Sequence, residues 1–353
     1  MKIQSEINQL PTLTWNFLNL NSVHIDEEVP LNHRGDMFIR NIPGGITVRM
    51  NGSVLQDVRT GMGDYVNHLM NDHQIETLGL SVSAGQVVSD PVKLNYVLGE
   101  GDGILRRQEI VAEEGSEITV VMDYTAGRRE SGFFGIQTKL HAKKHALIRL
   151  VKVNLLGDRY LHFEDIGGVA EEGGRIELIQ LELGGGRNYV GGSFDLKGRK
   201  SVFSGNVGYL CRGSQLLDMN YAMNHIGRKT ESSLQVKGAL RDKAVKNFRG
   251  TIDFRRGAAG AVGDEQEDTL LLSPGVDNKT LPIILCDEEN VEGTHGASIG
   301  RLSEDILFYM NSRGISAHEA EILMTKARLN SVRRLIKDEN TLGKIQQFIE
   351  EAF

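Results

Sequence analysis

The residues best suited to chemistry crowd between positions 264 and 295. That stretch holds Asp264, Glu265, Glu267, Asp268, Asp277, Asp287, Glu288, Glu289 and Glu292 against a single base, Lys279. Cys286 and His295 bracket its densest part, CDEENVEGTH. Thiolate, imidazole and carboxylate together form a donor set that suits iron, in hard or sulfide-bridged form. With no C-x-x-C, a closed four-cysteine site within one chain is excluded. His295, Glu267, Cys286, Glu289 and Glu292 are therefore the metal-site candidates. The competing reading is a solvated acidic face with a surface histidine. Just upstream, residues 241–256 reverse the polarity, with Arg241, Lys243, Lys246, Arg249, Arg255 and Arg256 against Asp242 and Asp253. That run suits an acidic surface of another subunit, or is a charged edge of the fold.

Other chemistries are poorly served. No G-x-x-x-x-G-K-[ST] is present, and Gly227-Arg228-Lys229-Thr230 has only the tail of a phosphate loop. Gly184-Gly185-Gly186 leads into Arg187-Asn188-Tyr189-Val190, which does not open a good helix. There is no G-x-S-x-G. Ser214, Asp218 and His225 are near in sequence, but spacing alone cannot assemble a triad, and coil turns or a subunit contact are the expected places for Asp218 and His225. Cys211 ends an apolar run and reads as a small buried hydrophobe.

The elements that must position these residues fall into three regimes. Residues 1–85 read as a small α+β cap, with a strand in Gly44–Gly52 and a helix over Asp64–Asp72 carrying Val66, Leu69 and Met70 on one face. Residues 86–297 repeat short β-rich runs, such as 117–124, 145–156, 175–183, 187–196 and 232–240, punctuated by Gly, Asp or Asn. No amphipathic helix intervenes, which disfavours a doubly wound α/β sheet and leaves a sandwich, a barrel or a β-solenoid. Some two hundred residues of short strands without a domain break fit stacked coils best. Residues 298–353 turn helical. Ser303-Glu304-Asp305 opens one helix, Gly314 stops it, and Ser316-Ala317-His318-Glu319 is a capping box for the next.

Composition bounds the rest. At 353 residues, 40% hydrophobic and 25% charged, the chain is globular rather than disordered. Forty-one glycines against six prolines point to many tight turns. A net charge of −7 does not favour nucleic acid or anionic membranes as partners. No apolar run approaches the roughly 18–20 residues of a membrane span. MKIQSEINQLPTLTW has no basic region followed by an apolar one, and two cysteines make no disulfide framework, so the expected compartment is the cytoplasm.

The longest pattern is TLPIILCDEENVEGTHGASIGRLSEDILFYMNSRGISAHEAEILM, residues 280–324. It resembles the C-terminal signature of the SufB/SufD family of iron–sulfur cluster assembly proteins, through Pro282, Glu289-Asn290-Val291, His295-Gly296-Ala297, Leu307-Phe308-Tyr309 and Ser312-Arg313-Gly314-Ile315. Leu217-Asp218-Met219-Asn220-Tyr221, His225-Ile226-Gly227 and Phe248-Arg249-Gly250-Thr251-Ile252 extend the likeness to about residues 100–345. The resemblance implies a right-handed parallel β-helix core with a C-terminal helical domain. It implies a non-catalytic scaffold for nascent iron–sulfur clusters, dimeric through the β-helix, serving apo iron–sulfur proteins. It also implies that a SufC-type ATPase, which holds the nucleotide, docks on the C-terminal helices and opens the dimer. On that footing Leu307, Phe308, Tyr309, Arg313 and Leu323 are the partner-binding candidates. His295-Gly296-Ala297 is the SufD form of its motif. The family's cysteine before D-[ST]-L-L is Glu267 here, and the SufD-type cysteine two residues before the histidine is Gly293. The chain thus reads as a homodimeric member or as the SufD-like partner of a SufB-like chain. A metal-free structural partner of the ATPase is the alternative, and a β-helix enzyme acting on polysaccharide is a remote one.

Overall fold

The computed structural model describes residues 1–14, 16–73 and 75–353. Its elements in chain order are β1 (Lys2–Ile7), β2 (Val23–Glu28), β3 (Asp36–Asn41), β4 (Ile46–Met50), α1 (Asp64–Asp72) and β5 (Glu76–Val82). There follow β6 (Val92–Leu98), β7 (Asp102–Ala112), β8 (Glu117–Ala126), β9 (Ser131–Ala142), β10 (Leu147–Leu155), β11 (Arg159–Ala170) and β12 (Arg175–Glu182). Next are β13 (Arg187–Leu196), β14 (Val202–Cys211), β15 (Leu216–His225), β16 (Glu231–Leu240), β17 (Val245–Phe254), β18 (Ala261–Leu271), β19 (Asp277–Cys286) and β20 (Val291–Gly300). The chain ends with α2 (Glu304–Ser312), α3 (Ala317–Arg333) and α4 (Glu339–Ala352).

From β5 onward odd strands join one sheet and even strands another, and each strand lies parallel to the strand two places on. This is a parallel β-solenoid of two nine-stranded sheets, as the stacked-coil reading expected. Its N-terminal end is closed by two antiparallel pairs, β3 on β6 and β4 on β5. The sheets therefore begin upstream of the boundary expected at residue 86. β3 to β5 are brief and flanked by a helix, so they lack the texture of the later coils.

Alternation within each strand sends one side chain into the lumen and the next outward. Ile118, Val120 and Met122 point in and stack on Ile148, Leu150 and Ile176, all fully buried. Burying each such side chain is worth about 1.5–3 kcal/mol. Each coil turns one corner through a residue of positive φ: Gly115, His145, Gly173, Lys200, Lys229 and Gly260. Glycine takes that conformation without a Cβ penalty, whereas histidine and lysine there are held by the coils above and below.

Both sheets are covered outside. On the even-strand sheet, Leu329, Val332, Ile345 and Ile349 of α3 and α4 bury Val151, Val153, Ile179 and Leu181. On the odd-strand sheet, β1, β2 and α1 bury Leu105, Phe133 and Phe163 beneath Ile3, Ile7, Val66 and Met70. A parallel sheet covered on both faces tends to near-continuous apolar runs, but in β10 and β12 these are broken by the buried polar residues Lys152, Asn154, Gln180 and Glu182. The Ser316 capping box at the head of α3 forms as its sequence predicts. Helix α2 buries none of its residues. Among the described residues no helix is long and apolar enough to cross a membrane.

Candidate functional site at the open end of the solenoid

Opposite the closed end, β19 and β20 are the last strands of their sheets. Their residues are half-buried or exposed, whereas the strands beneath them are mostly buried. The acidic stretch singled out above builds this end.

On β18, alternation sends Glu265, Glu267 and Thr269 into the lumen, each nearly fully buried. Glu267 accepts hydrogen bonds from the Lys246 ammonium and from Thr269 Oγ1 (2.8 Å). Thr269 Oγ1 in turn lies 2.6 Å from the Tyr209 hydroxyl. Lys246 also donates to Thr280 Oγ1 at 3.1 Å, and burial pulls its pKa below the ordinary lysine value. The second Glu267 oxygen, Oε2, has no hydrogen-bond partner among the described residues.

Glu265 was not among the candidates, yet it is the more perturbed carboxylate. Its Oε2 is buried without a hydrogen-bond partner among the described residues. It lies against Gly250 of β17, where a Cβ would come within 1.9 Å of that oxygen. Burial first, then the negative charges of Glu267 and Asp264, push its pKa up to about 8, against the pull of Lys246. Leu234, Glu265 and His295 are register partners on three successive even strands. His295 thus sits one strand beyond the buried carboxylate, on the exposed last coil. The E-x-E-x-T alternation of residues 265–269 was the available sequence signal.

The remaining candidates lie elsewhere on this end. Cys286 closes β19 in register with Phe254, is exposed, and its thiol lies 3.1 Å from the Glu288 carbonyl. Glu289 occupies the turn before β20, and Glu292 is exposed near the start of that strand. The structure does not gather the five residues around one point. Among the described residues no three His, Cys, Asp or Glu side chains are placed to share a metal ion.

Two expectations are corrected here. The basic run 241–256 is not one surface: Lys246 lies in the lumen, and Arg249 is fully buried with its guanidinium 2.8 Å from Asp218. Asp218 and His225 are not turn residues either, because both lie buried on β15. Asp218 is held by Arg249 and by Asn8 Nδ2 (2.8 Å). The His225 ring nitrogens lie 2.7 and 2.8 Å from the hydroxyls of Thr230 and Ser232, and burial lowers its pKa to about 4. Ser214 is exposed in a turn, so no triad forms. Cys211 is buried, as expected, with its thiol pushed up to about 12 by burial.

The helical end offers a second surface. Phe308 and Tyr309 on α2 are 76% and 59% exposed, and Leu323 on α3 is 48% exposed. Leu307 is half-buried, and the Arg313 guanidinium lies 5.3 Å from the centre of the Tyr309 ring. Neighbouring Arg328 ties α3 to β18 through Asp268 at 3.2 Å.

Comparison with known proteins adds the following. Residues 96–328, from β6 into α3, match the family model described as SUF system FeS cluster assembly, SufBD core domain. The chain is 27% identical over 268 residues to the iron–sulfur cluster assembly protein SufD of Bacillus subtilis, covering 74% of this chain and 61% of that one. It is 28% identical over 251 residues to a SufBD family protein of Synechocystis, covering 66% and 51%. It is 23% identical over 295 residues to SufD of Escherichia coli, covering 81% and 70%. The chain thus spans between about half and 70% of the length of these curated relatives.

Proposed function

The chain belongs to the SufBD family, and from that premise we propose that it is a scaffold subunit of iron–sulfur cluster assembly whose cargo, a nascent cluster, is held at the open end of the solenoid. The observation that carries this reading is the stack of exposed His295 in register with buried, unpartnered Glu265, beside strand edges that a second chain can cover. Unpaired edge strands are sticky and are normally paired or shielded. A two-fold homodimer, or a heterodimer with a SufB-like chain, would cover β19 and β20 and bring a second set of donors to His295 and Cys286. Glu289 and Glu292 would sit at the rim of that contact.

The helical unit, residues 298–353, is proposed as the docking element for a SufC-type ATPase. Phe308, Tyr309 and Leu323 are exposed apolar anchors, with Leu307 and Arg313 beside them. Nucleotide-driven movement of the ATPase would then pull on α3, which is tied to the cargo-bearing sheet through Arg328 and Asp268. The chemistry of this chain is holding and release, and the bond-breaking step on ATP belongs to the partner. The proposed compartment is the cytoplasm and the proposed clients are apo iron–sulfur proteins.

Anaerobic reconstitution with iron and sulfide tests the reading. Wild-type chain with its partners should develop visible charge-transfer absorption, and His295→Ala should lose it while still co-purifying the ATPase. A variant that assembles a cluster as well as wild type makes His295 structural. The metal-free reading rests on a specific observation, that Lys246 already occupies Glu267, and it gains if neither protein develops the absorption.

A further inference from the structure

On the outer face of the odd-strand sheet, under residues 51–72, two cations are buried with no ion-pair partner among the described residues. Arg107 on β7 and Lys139 on β9 are 7% and 4% exposed. The Arg107 guanidinium donates from Nε to Gln137 Oε1 (2.9 Å) and from Nη2 to Asn71 Oδ1 (2.8 Å), both neutral acceptors. Among the described residues Lys139 Nζ donates only to the Gln56 carbonyl, at 3.2 Å. Both side chains line a cavity of about 390 Å³ that also presents His68, Asn67 and Arg59, the last already paired with Asp195 at 3.1 Å.

The buried carboxylates nearby are already engaged. Glu109 accepts from Arg49 (2.7 Å), from Ser53 and from the Val54 amide (2.9 Å). Asp165 accepts from the Met62 amide and from Gln137 Nε2, each at 2.9 Å. Asp57 is the one acid among the lining residues, and its charge acts on Lys139. Taking an ammonium and a guanidinium out of water without a paired anion is costly. Burial lowers the pKa of both, and Arg107 lowers that of Lys139 further, while Glu109 and Asp165 pull both part of the way back, joined by Asp57 at Lys139. The carboxylates thus act on the two cations from a distance, none of them in ion-pair contact among the described residues, and both cationic side chains line the open cavity.

We propose that this cavity binds a phosphate-bearing anion, clamped between the Arg107 guanidinium and the Lys139 ammonium, with Arg59 and His68 at its mouth. Two cations match a phosphate dianion, whereas a monocarboxylate would leave one uncompensated. The guanidinium fork suits adjacent phosphate oxygens, and the ammonium acts as the point charge beside them. The volume exceeds that of one phosphate group, so an organic remainder fits as well. This inference is independent of the cluster-scaffold reading, since the cavity lies on another face, beneath the N-terminal segment.

Titration calorimetry of the full chain tests it, with inorganic phosphate, pyrophosphate, glycerol 3-phosphate and acetate at matched ionic strength. Phosphate-bearing probes should bind and acetate should not, and Lys139→Gln should weaken binding at least tenfold. Tighter binding of the ester marks an organic phosphate as the natural source, and tighter binding of the inorganic probes marks the free ion. In phosphate-free buffer Lys139→Met should be at least as stable as wild type, because it removes an uncompensated buried charge. Equal responses to phosphate and acetate overturn the proposal, as does a Lys139→Met protein that is less stable yet binds phosphate unchanged. Should that variant not fold, the wild-type contrast between phosphate and acetate decides alone.

Discussion

Replacing Glu265 by Gln should make the protein more stable in mild alkali and leave it nearly unchanged in mild acid. Glu265 is 3% exposed, one of its oxygens has no partner, and its folded pKa is about 8 against an ordinary value of 4.5. The fold therefore favours the protonated side chain. A raised carboxylate pKa gives stability that is fully present below the unfolded value and is lost as pH rises through the folded one. Between pH 4.5 and 8 the unfolded chain has released a proton that the folded chain keeps, so stability falls with pH throughout that window. At about 1.36 kcal/mol per unit, the shift from 4.5 to about 8 corresponds to a loss on the order of 4–5 kcal/mol, complete near pH 9. Glutamine keeps the shape and carries no proton to lose, so Glu265→Gln should flatten this part of the profile. Urea unfolding at fixed protein concentration, from pH 5 to 9, reads the difference directly. The two proteins should coincide near pH 5 and separate by several kcal/mol at pH 9. Parallel profiles would refute the reasoning, and would mean that water or the neighbouring chain solvates Glu265 in the ionised form.

Three further outcomes follow from contacts at the same end and at the N-terminal segment. Lys246→Met leaves Glu267 charged and unpaired in the lumen and should cost about 3–5 kcal/mol in urea unfolding, most of which Lys246→Met with Glu267→Leu should restore. Phe308→Ala with Tyr309→Ala should abolish co-purification of a SufC-type ATPase, since aromatic anchors commonly contribute about 2 kcal/mol or more each, roughly 30-fold in affinity. Circular dichroism and melting of that double variant should be unchanged because both rings are exposed, and unfolding instead would show them packed within their own domain. Gly61→Ala should loosen the N-terminal segment, because a Cβ there would come within 2.0 Å of the Gly192 amide nitrogen on β13; faster proteolysis of residues 1–72 with the solenoid intact is the expected readout.

Local chemistry made much of this chain legible before any coordinates. The alternation of Ile118, Val120 and Met122 marked a strand with one face inward, and the absence of helices between such runs pointed to stacked coils. Ser316 and Glu319 marked a helix start because their reciprocal hydrogen bonds span only one turn. Phe308 and Tyr309 were marked only by the family resemblance, and local sequence left open whether they pack inside their own domain; both are exposed on α2. The coil period was not legible, because the recurring positive-φ corner is glycine at 115, 173 and 260 but His145, Lys200 and Lys229 at the others. A backbone conformation imposed by neighbouring coils leaves no single residue type as its mark.

Which charges are inside was decided only by the tertiary structure. Lys246 and Arg249 read in sequence as members of one basic surface, yet alternation sends the first into the lumen against Glu267 and the second outward beneath the N-terminal segment against Asp218. Glu265 and His295 are thirty positions apart in the chain and become register partners because one coil of the solenoid separates them. Sequence determines the period-two alternation within a strand, since that is local geometry. The stacking of one coil on the next is a long-range choice, made by packing the lumen, and it alone sets which carboxylate loses its water.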